Sequence, residues 1–457
     1  MASSRTADSQ VHEYKLPHVI AASSAGTVVE WYDFYIFGSL FAILSTKFFP
    51  PGNEVLSTLG TLALFGVGFV VRPFGALFFG SIGDRVGRKY AFIITISIMG
   101  AATFLIGLVP TYASIGYLAP ALVIVLRLAQ GLALGGEYGG AAIYVAEHAP
   151  DHQRGYYTAY IQTTATLGLV LALAVVVGFT VWLGDAAMSD YGWRLPFLLS
   201  SLLVGLALYI RLKLRETPLF TRLKEAGNSS ESPIKDAFAH NQWKLILLVL
   251  FGATAGQAVV WYTGQFYALV YMQDVLEIGT LGSSLMVGIA LILATPFFLV
   301  FGKLSDTIGR KPIILTGCAL AALTYIPIYT AMDAVSNPLN PVAMTALVFV
   351  QVIYVTMVYG PIAAYLVELF PAKVRYTSLS IPYHLGNGEF GGLTPFIIAS
   401  IAAATGNNIT GLVYPIGVAT ITVFVGIFFL KETKHVRIWD EVGGEGRPAS
   451  AKRTAQA

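Results

Sequence analysis

The chain of 457 residues holds a single cysteine, Cys318. That excludes an intrachain disulfide, a thiolate metal cluster and a CxxC redox site. Charge is also scarce: Asp, Glu, Lys and Arg make up 12% of the residues, against about 25% in a soluble domain. With 56% hydrophobic residues, the chain reads as a polytopic membrane protein rather than an ordinary globular one. A net charge of +3 gives no case for nucleic acid as a partner. Residues 1–18 are polar and lack an apolar core, so no cleaved signal peptide is evident. The histidines show no metal-ligand spacing. His12, His18, His148, His152, His240 and His435 all fall outside the apolar runs or at their ends. No GxSxG, HExxH or P-loop is present. Neither an enzyme nor a metal or other cofactor is expected.

What the chain does have is an internal repeat. Gly80-Ser-Ile-Gly-Asp84-Arg-Val-Gly87-Arg88-Lys89 returns as Gly302-Lys-Leu-Ser-Asp306-Thr-Ile-Gly309-Arg310-Lys311, an offset of 222 residues (302 − 80). Tyr144-x-x-Glu147-x-x-Pro150-x-x-x-Arg154 returns as Tyr365-x-x-Glu368-x-x-Pro371-x-x-x-Arg375, and Arg215-Glu216-Thr217 as Lys431-Glu432-Thr433. Matched charged knots between long apolar runs suggest a transporter built from two alike halves.

A spanning helix needs about 20 apolar residues. Twelve runs meet this, near 19–44, 56–82, 90–110, 118–146, 156–183, 194–214, 243–272, 281–302, 312–332, 342–368, 376–403 and 409–430. The expected organisation is a tail (1–18), a six-helix bundle (19–214), a flexible linker (215–242), a second six-helix bundle (243–435) and a disordered tail (436–457). Lys and Arg concentrate in the loops after even-numbered runs and in the linker; on the other side stand only Lys47 and Arg194. The positive-inside rule then places both termini in the cytoplasm.

The duplicated loop and the six-plus-six repeat resemble the major facilitator superfamily over about residues 19–435. Glu30-Trp31-Tyr32-Asp33-Phe34, Val71-Arg72-Pro73, Arg127-Leu-Ala-Gln130-Gly131, Gly135-Gly136-Glu137-Tyr138-Gly139-Gly140, Gly192-Trp193-Arg194 and Glu216-Thr217-Pro218 resemble its metabolite:proton symporter branch. That resemblance implies an all-α membrane protein of two pseudo-symmetric bundles. It also implies a monomer in a bacterial cytoplasmic membrane that imports a small hydrophilic metabolite with protons. Members carry organic acids such as α-ketoglutarate, citrate and shikimate, or proline and betaine. An organic acid anion is the expected cargo; an exporter, a proton antiporter or a sensing receptor on the same scaffold are the other readings.

Ionisable groups inside a membrane are costly and mark candidate sites. Glu30 and Asp33 share one face of the first run, and Arg127, Gln130 and Glu137 share one face of the fourth. Asp33 is expected to pair with Arg127, as the resemblance to sugar porters also implies. An anionic substrate drawing Arg127 away would leave Asp33 to take a proton; a fixed structural ion pair is the alternative. Glu137, among glycines, is a rival proton site or a helix–helix hydrogen-bonding group, and Glu30 is open between the same roles. Arg72, about 18 Å above Asp84 along a helix, could clamp a carboxylate or tie helix ends. His384, near Asn387 and Glu389, could titrate near neutral pH or simply pack. Further cavity candidates are Tyr32, Tyr138, Gln162, Gln257, Trp261, Gln265 and Tyr354, since amides and phenols can orient a small polar ligand. Asp84, Arg88, Glu147, Arg154, Asp306, Arg310, Glu368 and Arg375 read as latches that close the cytoplasmic end and part as the halves rock.

Overall fold

The computed structural model describes residues 16–85, 88–136, 138–213, 242–371 and 375–438. Among them the chain is helical throughout, apart from an isolated bridge at Ser336 and Leu339. Nine helices are long and apolar enough to cross a membrane. Two bent pairs and the apolar stretch Ile93–Leu108 bring the spans to twelve. The chain is thus an all-α membrane protein. The linker 215–242, but for Gln242, and most of both tails lie outside the described residues.

The spans fall where the apolar runs predict, with instructive departures. The first span continues past residue 44 as Phe41–Phe48, bent by 62° from Ser24–Ser39. Ser39 Oγ donates to Tyr35 O at 3.0 Å, a back-bond that bends helices. The second span breaks between Glu54–Val70 and Arg72–Arg85. The eighth, Thr280–Ile308, carries its helix through the repeated loop motif. It stops at Gly309, whose φ of +116° suits glycine alone. The seventh span widens into π turns at Leu250–Thr254, Tyr262–Tyr267 and Tyr271–Val275, and the eleventh at Gly386–Gly392. Such turns cluster at functional sites.

Close approach brings the fourth span onto the break in the second. A Cβ on Gly131 would stand 1.7 Å from Gly68 O, and one on Gly135 2.1 Å from Arg72 O. Between the halves, the fifth and eighth spans touch backbone to backbone, with a Cβ on Gly155 falling 2.5 Å from Gly302 O. Small residues allow such contact between membrane helices.

This fifth–eighth contact lies at the end bearing the charged loops, and a buried network seals it. Arg154 donates to Glu368 at 2.8 Å and also pairs with Asp151. Arg310 meets Glu368 at 3.0 Å and Asp306 at 2.6 Å. Asp306 in turn accepts from the amides of Gly155 and Tyr156 at 2.8 and 2.9 Å. Glu368 therefore receives cations from both halves. Glu432 accepts from the amides of Arg310 and Lys311, both at 2.9 Å, and caps the ninth span. Arg375 is buried and donates to Phe370 O at 3.0 Å, and Glu147 is buried. The side chains of Asp84 and Arg88 lie outside the described set. The ordered chain also runs beyond 435: Val436 O accepts from Arg154 at 3.1 Å and Ile438 is buried. The start of the expected disordered tail is thus packed into the network.

The opposite end is closed by apolar contact. Gly38 packs on Phe266 and Phe65, and Gly66 on Leu393. Thr58 Oγ1 donates to Asp274 at 3.2 Å. With both ends shut, the structure is occluded.

Removing the charge from Glu368 should loosen one end only. Breaking a buried ion pair costs about 3–5 kcal/mol. A cysteine placed at the buried Ala159 in a Cys318→Ala background should label with a water-soluble maleimide at least about tenfold faster once Glu368→Gln is added. An unchanged labelling rate would mean that the network does not hold the halves together.

Candidate functional site

Arg72 opens the segment that follows the break in the second span. It is fully buried, and none of its three guanidinium nitrogens has a hydrogen-bond partner. Its guanidinium carbon stands 5.6 Å from the Trp31 ring and 5.4 Å from the Phe69 ring. Its charge acts on Tyr35 and Tyr138 of one half and on Tyr262, Tyr359, Tyr383, His384 and Glu389 of the other. Arg72 ties no helix ends by hydrogen bonds. It is a cation within an aromatic chamber shared by the two halves.

The chamber is built by rings crossing the interface. Tyr138 and Tyr383 stack at 3.6 Å with 1° between their planes. Tyr359 and Tyr383 share a hydroxyl hydrogen bond of 2.6 Å, and Gln162 Nε2 donates to the Tyr138 hydroxyl at 2.7 Å. Trp31 stacks on Tyr35 at 5.0 Å, and Tyr35 on Trp261 at 5.3 Å. A small cavity of about 10 Å³, room for roughly one water, is lined by Thr27, Trp31, Arg72, Tyr138, Gln162 and Tyr359 among others. Of the residues expected at the site, Arg72, Tyr138, Gln162, Trp261 and His384 come together here.

Most of the other expected residues that the structure describes bond partners outside this chamber. The expected Asp33–Arg127 pair is not formed. Arg127 is fully buried, but its donors go to Leu64 O (3.3 Å), Phe34 O (3.2 Å), Phe65 O (2.9 Å) and Gln130 Oε1 (2.8 Å). It also sits 4.2 Å over the Phe34 ring. Four carbonyl-type acceptors take four of the five donors of the planar fork, and Arg127 serves as a clasp of the first, second and fourth spans. The Asp33 carboxylate is fully buried with no hydrogen-bond partner; Ser200 of the sixth span approaches it. What joins the two residues is Gln130, which accepts from Arg127 and donates to Asp33 O at 3.3 Å and Thr103 Oγ1 at 2.7 Å. Gln130 is therefore a strut within the first half, not a chamber residue.

Tyr32 also turns away from the chamber, donating to Pro196 O at 2.6 Å. Tyr354 receives a hydrogen bond from Thr324 at 3.2 Å, between the ninth and tenth spans. Gln257 and Asn387 satisfy one another at 3.3 and 3.2 Å. Gln265 accepts a 3.4 Å bond from Thr166 of the other half. Glu30 is buried in the first span, and Glu137 lies outside the described residues. Sequence reasoning left out Trp31 and Tyr35 as site residues; it noted Tyr262 and Tyr359 only beside other cavity candidates, and Tyr383 only as a neighbour of His384. The i, i+4 spacing of Trp31 and Tyr35 was the available signal, obscured by the many other aromatics.

The profile of the family "Sugar (and other) transporter" matches residues 18–440. An alpha-ketoglutarate permease of Escherichia coli K12 is 32% identical over 92% of this chain and 95% of its own length. A proline/betaine transporter of the same bacterium is 33% identical over 93% of this chain and 85% of its own. A citrate-proton symporter of Klebsiella pneumoniae is 33% identical over 84% of this chain and 85% of its own. In fold, the chain is similar to a crystal structure of a D-xylose-proton symporter (TM-score 0.70, 20% identity, 91% of this chain and 98% of that one). The profile and these relatives, with the occluded helical body described above, show that the chain is a membrane transporter, not an enzyme, and belongs to the sugar (and other) transporter family of the major facilitator superfamily.

Proposed function

We propose that this transporter imports a small organic acid anion together with a proton. The observation that carries the proposal is the Arg72 guanidinium, buried at the interface of the halves with no hydrogen bond to the protein. Burying a charge without partners is expensive. A planar fork that rings surround but no acceptor engages is suited to a carboxylate, which it can hold by two parallel hydrogen bonds. The rings around it accept the apolar body of a small acid. The relatives support this class, since an alpha-ketoglutarate permease and a citrate-proton symporter are among them. The proline/betaine relative supports a second reading, in which a zwitterion puts its carboxylate on Arg72 and its ammonium over the Trp31 and Trp261 rings.

The charge count favours the anion. A bound monocarboxylate adds one negative charge to the chamber, and a proton on a buried carboxylate adds one positive. Binding both returns the buried charge to that of the empty carrier, while binding either alone changes it by one unit. Moving an extra unit of charge through the low-dielectric middle of the membrane is costly. Only the empty and the doubly loaded forms then reorient cheaply, which is symport. Asp33 is the proton carrier in this reading, because its carboxylate is fully buried and has no hydrogen-bond partner. Coupling runs through the first span, which carries Asp33 toward Ser200 and Trp31 toward Arg72, and not through exchange of Asp33 with Arg127.

The charged-loop network is read as the cytoplasmic latch, in a bacterial inner membrane with both termini inside. Glu368 joining both halves supports the latch, and the Lys/Arg excess of those loops supports the orientation. The chamber is lined from both halves of one chain, which supports a monomer as the transporting unit.

Two experiments test this. In purified protein, Arg72→Lys should weaken acid binding by at least about tenfold, since a point charge replaces a fork, and Arg72→Gln should abolish it. Retained affinity in Arg72→Gln would end the carboxylate-clamp reading. In proteoliposomes, Asp33→Asn should lose accumulation driven by an outside-acid gradient yet keep substrate counterflow. Normal accumulation would remove Asp33 from coupling, and extrusion driven by protons moving inward would make the protein an antiporter.

A further inference from the structure

His384 is a further buried polar group of the chamber, with neither ring nitrogen partnered. It lies at the end of the helical segment Arg375–Leu385, just before the π turn Gly386–Gly392. It is fully buried, and neither Nδ1 nor Nε2 makes a hydrogen bond. Its ring meets Tyr383 edge-on at 5.3 Å, and Tyr383 is the ring stacked on Tyr138 across the halves. The charge of Arg72 reaches it. Buried polar groups in proteins are nearly always bonded, and an imidazole with both nitrogens idle in the core costs stability. Arg72 comes from one half and His384 from the other. A molecule held by both would bridge the two bodies that must move together.

A neutral imidazole offers one donor and one acceptor. It adds nothing to the recognition of a plain alkyl carboxylate, whose only polar group is taken by Arg72. It adds nothing to a betaine either, whose methylated ammonium has no hydrogen-bonding group. It does suit a second oxygen function on a short carbon chain.

We propose that His384 reads a hydroxyl or oxo oxygen of the substrate, or the protonated second carboxyl of a dibasic acid carried as its monoanion, so that the cargo is an oxygenated or dibasic organic acid and not a simple carboxylate or a betaine. This rests on Arg72 as the carboxylate clamp. His384 is then a specificity residue, set on the opposite half from Arg72 and beside the Tyr383 ring that stacks across the interface.

The test is a binding panel on the purified full-length chain, by calorimetry or thermal shift. Acids of three to six carbons are compared as pairs that differ only in one hydroxyl, oxo or carboxyl group, and betaine is added. A site that hydrogen-bonds an oxygen commonly rejects the analogue lacking it by tenfold or far more. Wild-type protein should therefore prefer the oxygenated member of at least one pair by about tenfold or more. His384→Phe should erase that preference while alkyl carboxylates still bind, and His384→Gln, which keeps a donor and an acceptor, should retain part of it. A preference unchanged in His384→Phe, betaine binding as tightly as the best acid, or no binding by any acid overturns the inference. Arg72→Gln separates the two claims. Loss of all acid binding there with discrimination intact in His384→Phe defeats only the role of His384, whereas acids binding normally to Arg72→Gln defeat the clamp itself.

Discussion

A guanidinium in the middle of a membrane protein with nothing to hydrogen-bond is the constraint on which this structure turns. Arg72 is held there by backbone design. The second span breaks just before it, and Gly131 and Gly135 bring the fourth span against that break so closely that no side chain would fit. The rings of Trp31 and Phe69 face the cation, and such contact offsets a modest part of the cost of burying it. The remainder is a standing preference for an anion. The chamber is for that reason a place where binding energy can be large, and where the presence or absence of an anion changes the electrostatics of both halves together.

The two ends of the molecule are closed by different physics. The charged-loop end is sealed by a buried ion network centred on Glu368, whose parts satisfy one another across the halves. The opposite end is sealed by glycine and aromatic contact around Gly38 and Phe266. Ion networks have discrete bonded and unbonded arrangements, while aromatic contacts slide. In the proposed reading, rocking of one half on the other would exchange one seal for the other around the chamber, in keeping with alternating access in repeat-built transporters.

Much of the fold was legible in the sequence because hydrocarbon permits few structures. With backbone groups obliged to bond within each segment, a run of apolar residues becomes a helix, and the spans lie close to the runs. The ion network was legible for a related reason: Asp306, Arg310, Glu368 and Arg154 belong to motifs that repeat in a fixed order, and orientation alone does not require acids. The interior was harder. Helical spacing correctly put Asp33 and Arg127 in the core, but it says which residues share a face, not which neighbour the face meets. Among the described residues, Arg127 bonds carbonyls of Phe34, Leu64 and Phe65 and no carboxylate. The amides of Gln257 and Asn387 look like ligand groups in sequence yet bond each other in space. The chamber tyrosines carried too little contrast among 24 in the chain, and only the π turns and ring stacks single them out.

The most direct test of the central claim is the charge moved per transport cycle, read in proteoliposomes by clamping the membrane potential with potassium and valinomycin while the pH gradient is set independently. One anion on Arg72 and one proton on a buried carboxylate give a net charge equal to that of the substrate plus one. The expected result for a monovalent acid is accumulation that follows the pH gradient and ignores the membrane potential. Accumulation driven by an inside-negative potential with no pH gradient would contradict it, and with it the idea that anion and proton balance each other in the chamber.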